Sequence, residues 1–209
     1  LRRIPIMGAN QEYLDKRELF INKSKVQRNS LKLLHLGTLQ GGFTSRSLLW
    51  FLDHIWENLL EELNNYNIEL HIVGSGIPSE ELLKTFNQSN IIYRGYVDNL
   101  WEEFVDTFAM LIPGQISTGT RIRVPVAFSM MIPIIGNKVS FDGMPNAKNG
   151  ETVLYAENAV EYSESIKRLK EETVFYKSIC HNVRHVYDEN FSIKATSLDI
   201  QREISKLYQ

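Results

Sequence analysis

Short apolar-rich runs alternate along the chain with longer stretches in which apolar residues recur every three or four positions. The runs are Leu31–Leu36, Glu69–Val73, Ile91–Arg94, Ala109–Ile112, Ile132–Ile135 and Glu151–Tyr155, each of a length suited to a buried strand. Between the first two, Leu48, Leu49, Leu52, Ile55, Trp56, Leu59, Leu60 and Leu63 keep helical spacing and predict a helix over 45–64. Thr44 or Ser45 is placed to cap it and Asn64-Asn65 to end it. Further helices are expected from Pro78 to about Phe86, from an Asp98 cap through Val105, in a short apolar segment with Pro125 first, and over 159–169, 172–185 and 193–207, with a break near Asp188-Glu189-Asn190.

Strand followed by helix, repeated with glycine at the strand ends, predicts an α/β fold: a Rossmann-like three-layer sandwich of about six parallel strands with helices on both faces. Such sheets bind ligands outside the carboxyl ends of their strands. The loops at Gly37, Gly74, Gly95 and Gly119 all fall on that edge. Before Leu31 the pattern is weaker, with Ile4, Ile6, Tyr13, Leu14 and Phe20 scattered among polar residues ahead of a basic interval, Lys23 to Arg28. Residues 1–30 are therefore expected to be a lead-in segment packed partly on a domain spanning 31–209. Because the chain opens on an apolar pattern already under way, it is expected to be a piece of a longer protein.

Composition narrows the function classes. With 209 residues and 43% apolar content, one substantial core is within reach. The net charge of −2 gives no reason to expect nucleic acid. Cys180 stands alone, which rules out an intramolecular disulfide and suits a reducing compartment, and His181 and His185 beside it lack a second ligand pair for zinc. No run approaches the ~20 apolar residues of a membrane span, and the start lacks the succession of a secretory leader. A soluble cytoplasmic protein is expected. The interval Lys23 to Arg28 fits either peripheral membrane attachment or simple solvation.

The chemistry gathers between Pro113 and Gly136. Ser117, Thr118, Gly119 and Thr120 make a short-chained loop whose backbone N–H groups can turn toward an anion, and Arg121 and Arg123 follow at once. Pro125 suits the first helical position, which would leave the N–H groups of Val126 and Ala127 free. His71, within a strand, is expected to be structural, and Trp50, Trp56 and Trp101 lie on apolar helix faces and are expected in the core.

These segments, in this order, resemble the C-terminal, nucleotide-sugar donor-binding half of group 1 glycosyltransferases of GT-B architecture. The resemblance is carried by L-L-H-L-G-T-L at Leu33, H-I-V-G-S-G at His71, I-I-Y-R-G-Y-V-D-N-L at Ile91, G-T-R-I-R-V at Gly119, I-P-I-I at Ile132 and N-G-E-T-V-L-Y-A at Asn149. It implies a donor domain of a transferase acting in bacterial-type glycan or glycoconjugate synthesis, with a nucleoside-diphosphate sugar as substrate and no required metal. By the same resemblance, Tyr96 and Val97 lie against the base, Gly37 and Thr38 border the diphosphate, and Arg46 is a charge partner. Ser117, Thr118, Gly119, Thr120 and Arg121 face the sugar and phosphates. It further implies a missing N-terminal acceptor domain, joined through residues 1–30 as interdomain linker, so no catalytic residue is assigned and the fragment alone is expected to be inactive. One position departs from the family pattern: the Glu usual about seven residues beyond the loop glycine is Val126, which cannot accept hydrogen bonds from ribose. That departure keeps an alternative open, a degenerate domain serving as a binding or scaffolding partner. An unrelated dinucleotide-binding domain is disfavoured, since Gly37-Thr38-Leu39-Gln40-Gly41 lacks the G-x-G-x-x-G spacing.

Overall fold

The computed structural model describes residues 7–23, 30–116 and 121–207. Six strands form one sheet: β1 (Leu31–Leu36), β2 (Ile68–Val73), β3 (Ile91–Gly95), β4 (Ala109–Ile112), β5 (Ile134–Gly136) and β6 (Val153–Tyr155). All neighbouring pairs are parallel, in the order β3-β2-β1-β4-β5-β6. The expected Rossmann-like architecture is therefore present. Leu33, Leu34, Met110 and Leu111 of the central pair are all buried, because helices cover both faces and hide odd and even positions alike.

After β1 the chain enters α2 (Gly42–Phe51), which continues through a π-helical turn, Leu52–Trp56, into α3 (Glu57–Glu62). Leu48, Phe51, Leu52, Ile55, Trp56 and Leu59 form its buried stripe. The helix begins earlier than the spacing predicts. Gly41, at φ 60°, holds the cap position, so neither Thr44 nor Ser45 caps it. Trp56 is fully buried with its indole N–H on the Ser89 carbonyl at 3.1 Å, whereas Trp50 and Trp101 are only half-buried.

The remaining helices are α4 (Glu80–Thr85), α5 (Leu100–Val105), α6 (Arg123–Ser129), α7 (Ala159–Glu171), α8 (Thr173–Asn190) and α9 (Ile193–Leu207). Asn99 rather than Asp98 caps α5, its side-chain oxygen accepting from the Trp101 N–H at 3.2 Å. The expected break at Asp188–Asn190 is displaced to Phe191-Ser192. Asp188 instead pairs with Arg184 at 2.9 Å inside α8, and the Ser192 hydroxyl accepts from the Ala195 N–H to start α9. His71 reaches Glu69 on its own strand at 3.2 Å.

One helix escaped the periodicity. In α1 (Gln11–Asn22), capped by Asn10, the inward positions are Leu14, Arg17, Phe20 and Ile21. Arg17 has no exposed surface. Its guanidinium donates to the carbonyls of Val105 (3.2 Å) at the end of α5 and Thr107 (2.5 Å) just past it, to those of Met130 (3.1 Å) and Met131 (3.2 Å) past α6, and to the Tyr176 hydroxyl on α8 (3.3 Å). Helix ends leave carbonyls unsatisfied and partially negative, so one cation there serves two helices at once. Part of the lead-in is thus fastened to the domain, while residues 24–28 of its basic interval lie outside the described residues.

Candidate functional site

At the point where the strand order reverses, between β1 and β4, lies a cavity of about 300 Å³. Gly37 and Thr38 after β1, Thr44 and Ser47 on α2, and Arg121 and Arg123 at the start of α6 line it. Pro113 and Gly114 after β4 close the opposite wall, and the rim carries Phe43, Ile116 and Ile122, each about half exposed.

The glycines hold the rim together. The Gly37 N–H donates to the Val73 carbonyl at 3.1 Å, Leu39 to Ser75 at 2.8 Å, and Gly74 to the Gly95 carbonyl at 2.9 Å. The ends of β1, β2 and β3 therefore meet along one edge. A β-carbon on Gly74 would stand 1.7 Å from the Gly37 carbonyl oxygen, and one on Gly37 would stand 2.3 Å from Thr44 Cγ2. Only bare backbone fits that approach. Gly74→Ala is expected to cost at least about 1–3 kcal/mol by overpacking, read from chemical denaturation, whereas Gly41→Ala, in open space, meets no atom and costs the strain of φ 60° with ψ −169°, a combination essentially confined to glycine, about 1–3 kcal/mol.

Charge distinguishes the opposite side. Arg121 is 8% exposed; one terminal nitrogen donates to the carbonyls of Ile116 (3.2 Å) and Val139 (2.9 Å), and its Nε is buried without a partner. Arg123 makes one long bond, from Nη1 to the Leu36 carbonyl at 3.3 Å. Burial pushes Arg121 below its ordinary value, with Asp142 opposing. Burial, then the neighbouring Arg121, pushes Arg123 down to about 10. Among the described residues neither guanidinium forms an ion pair, and the segment 117–120 between Ile116 and Arg121 contains no acidic residue. Two partly desolvated cations that form no ion pair among the described residues, with only Asp142 acting on Arg121 from beyond ion-pair distance, make a receptor for an anion. The first turn of α2 adds to it: with glycine in the cap position, no side chain satisfies its N–H groups.

The family model described as "Glycosyl transferases group 1" matches residues 30–172. The chain belongs to this family. Solved structures agree on the fold of this group 1 glycosyl transferase: TarM superposes with a TM-score of 0.67 at 14% identity, covering 85% of this chain and 35% of its own. HepE from Anabaena, in complex with UDP and glucose, gives 0.67 at 13% identity with 94% and 53% coverage. WaaG, a glycosyltransferase involved in lipopolysaccharide biosynthesis, gives 0.62 at 17% with 94% and 54%. The chain thus spans about half or less of the length of these solved structures. No curated protein matches it.

Within this group 1 domain the expected site residues divide. Gly37, Thr38 and Arg121 come together in the cavity. Arg46 is exposed on α2, outside its lining, and Tyr96 (73% exposed) and half-buried Val97 stand beyond β3, also outside it. Ser117, Thr118, Gly119 and Thr120 lie outside the described residues. One expectation about donors is corrected. α6 starts at Arg123, so Pro125 is its third residue, and the Val126 N–H is already bound to the Ile122 carbonyl at 3.1 Å. Thr44 and Ser47 in the lining were not foreseen, since hydroxyls on a helix carry no signal until the fold aims that helix at the site. Among the described residues no cluster of three or more His, Cys, Asp or Glu is arranged to hold a metal, and no helix is long and apolar enough to cross a membrane.

Proposed function

We propose that this domain, 31–209, binds the diphosphate of a nucleotide-activated sugar and is the donor half of a hexosyltransferase of glycan or glycoconjugate synthesis in the cytoplasm. Residues 1–30 then lead to an acceptor domain. The observation that carries the reading is the pair Arg121 and Arg123, neither in an ion pair among the described residues, in a cavity at the reversal of strand order. When a glycosidic bond forms, the nucleoside diphosphate leaves with growing negative charge, and fixed guanidinium and N–H donors stabilise that charge without a metal. Gly37 allows close approach, Thr38 and the loop from Ser117 to Thr120 face the phosphates and sugar, and Tyr96 with Val97 offers a surface for the base. Arg46, exposed on α2, supplies longer-range positive charge. The complex of HepE with UDP and glucose supports this reading by showing what a protein of the same fold holds.

Calorimetric titration with UDP, GDP and ADP tests it. One of the three is expected to bind, and Arg121→Ala to weaken it roughly tenfold to 150-fold, the equivalent of one charged hydrogen bond at ~1.5–3 kcal/mol. Silence from all three would favour the scaffolding reading, to which Val126 lends its one specific observation. In that case Val126→Glu separates a lost ribose contact, restored by the carboxylate, from a site that no longer binds nucleotides at all. The isolated domain is expected to transfer no sugar.

A further inference from the structure

His35 lies beneath the cavity and has no role in the reading above. It sits on β1 two residues before Gly37, has no exposed surface, and neither ring nitrogen has a hydrogen-bond partner. Its Nε2 and the Nη1 of Arg123 both stand within 3.5 Å of the point where a β-carbon on Gly37 would be. The imidazole therefore abuts the floor of the anion cavity, beside one of the two guanidinium groups. Its surroundings are otherwise uncharged: β2 offers Ile72 in register, α2 offers Thr44, and β4 offers the Leu111 backbone, which favours the charged form without completing a hydrogen bond. From α6 comes Arg123, with Arg121 behind it, and no carboxylate is among the groups that act on the ring. Burial first and Arg123 second keep the imidazole neutral, titrating only at about 3.

We infer that His35 is a positioning residue of the anion site, neutral while the cavity is empty and protonated from solvent when a polyphosphate settles on Arg121 and Arg123, so that the site selects doubly charged pyrophosphate groups. The logic is one of charge count. An empty cavity already holds two cations that form no ion pair among the described residues, and a third beside Arg123 would be repelled. A bound polyphosphate reverses the sign of the local field, and an imidazole with two idle nitrogens becomes the nearest proton acceptor. Linkage then requires proton uptake on binding and tighter binding as pH falls, by at most tenfold per unit below the bound-state value. The inference rests on the proposed diphosphate site but not on the nucleoside.

The test is calorimetry with inorganic pyrophosphate and with UDP, from pH 8 to pH 6, in buffers of different ionisation enthalpy, on the wild type and on His35→Gln. Ligand protonation is common to both proteins, so the difference isolates residue 35. The wild type is expected to take up as much as one more proton per site, and its affinity to gain several-fold on the variant as pH falls. Ring-nitrogen NMR of the wild type alone, with and without pyrophosphate, gives an answer even if the variant fails to fold: His35 is expected neutral when free and cationic when saturated. Equal proton uptake in both proteins, or a ring that stays neutral in the complex, overturns the inference and leaves the nucleotide reading intact. Pyrophosphate binding with His35-dependent uptake, but no tighter binding of any nucleotide, sustains the inference and removes the nucleotide reading. Failure of both probes to bind removes the inference, and silence from GDP and ADP as well removes the nucleotide reading.

Discussion

Arg17→Met is expected to destabilise the domain by about 3–5 kcal/mol, because it takes the charged donor from several carbonyls at once and each such bond is worth ~1.5–3 kcal/mol. Methionine fills most of the volume, so little of that loss is cavity. What remains is four carbonyls, those of Thr107, Met130 and Met131 buried and that of Val105 partly so, stripped of their charged donor. Leaving a buried acceptor unsatisfied costs ~1–3 kcal/mol each before any water enters. Met131 raises the stakes, since its φ of 55° is strained for a side chain of that size and its carbonyl is held by Arg17. Denaturant unfolding followed by circular dichroism measures the effect. A loss below about 1 kcal/mol would show that solvent reaches the pocket and that α1 merely rests on the domain.

Acid should unfold the protein through the other buried base. In the unfolded chain His35 titrates at its ordinary 6.5, whereas in the folded domain it titrates at about 3. Between those values the unfolded state binds the extra proton, so stability falls as pH falls, by about 1.4 kcal/mol per unit. Between pH 6.5 and pH 4.5 the wild type should lose about 2 kcal/mol that His35→Gln does not lose, the slope being only half its full value at pH 6.5. Glu103 adds a second acid-sensitive contribution lower down. Burial pushes its carboxyl up, but Lys32 and Arg94 together outweigh burial and hold it below the ordinary range. That stability is present above the ordinary carboxylate value and is lost as pH drops beneath it, in both proteins alike. Unfolding free energies at several pH values decide the matter: parallel curves for wild type and variant would mean that His35 is solvated or paired in solution.

The sheet was legible because its strands are buried on both faces and so read as uninterrupted apolar runs closed by glycine, as at Leu31–Leu36 before Gly37. α1 was not legible, and Arg17 is the reason: the inward stripe Leu14, Arg17, Phe20 and Ile21 contains a cation where the helical pattern demands an apolar residue. Pro125 misled in a smaller way. Proline is tolerated anywhere in the first turn, where no N–H is needed, so it locates a helix start only to within two residues. In the site, Arg121 announced itself by following a short polar loop, but His35 looks like any core histidine. Its meaning depends on Arg123 and Gly37 standing over it, and that juxtaposition exists only after folding. Tyr96 and Val97, expected to hold the base, follow Gly95 on the rim but are not among the residues that line the cavity.

The contact of Gly37 with Gly74 also limits how such a pocket can be altered. Where two loops touch backbone to backbone, there is no side chain to exchange, and any addition wedges the loops apart. That wall is closed to gradual tailoring. New ligand preferences, natural or engineered, have to be written on the facing side, in the opening turn of α2 and in the residues that lead into α6.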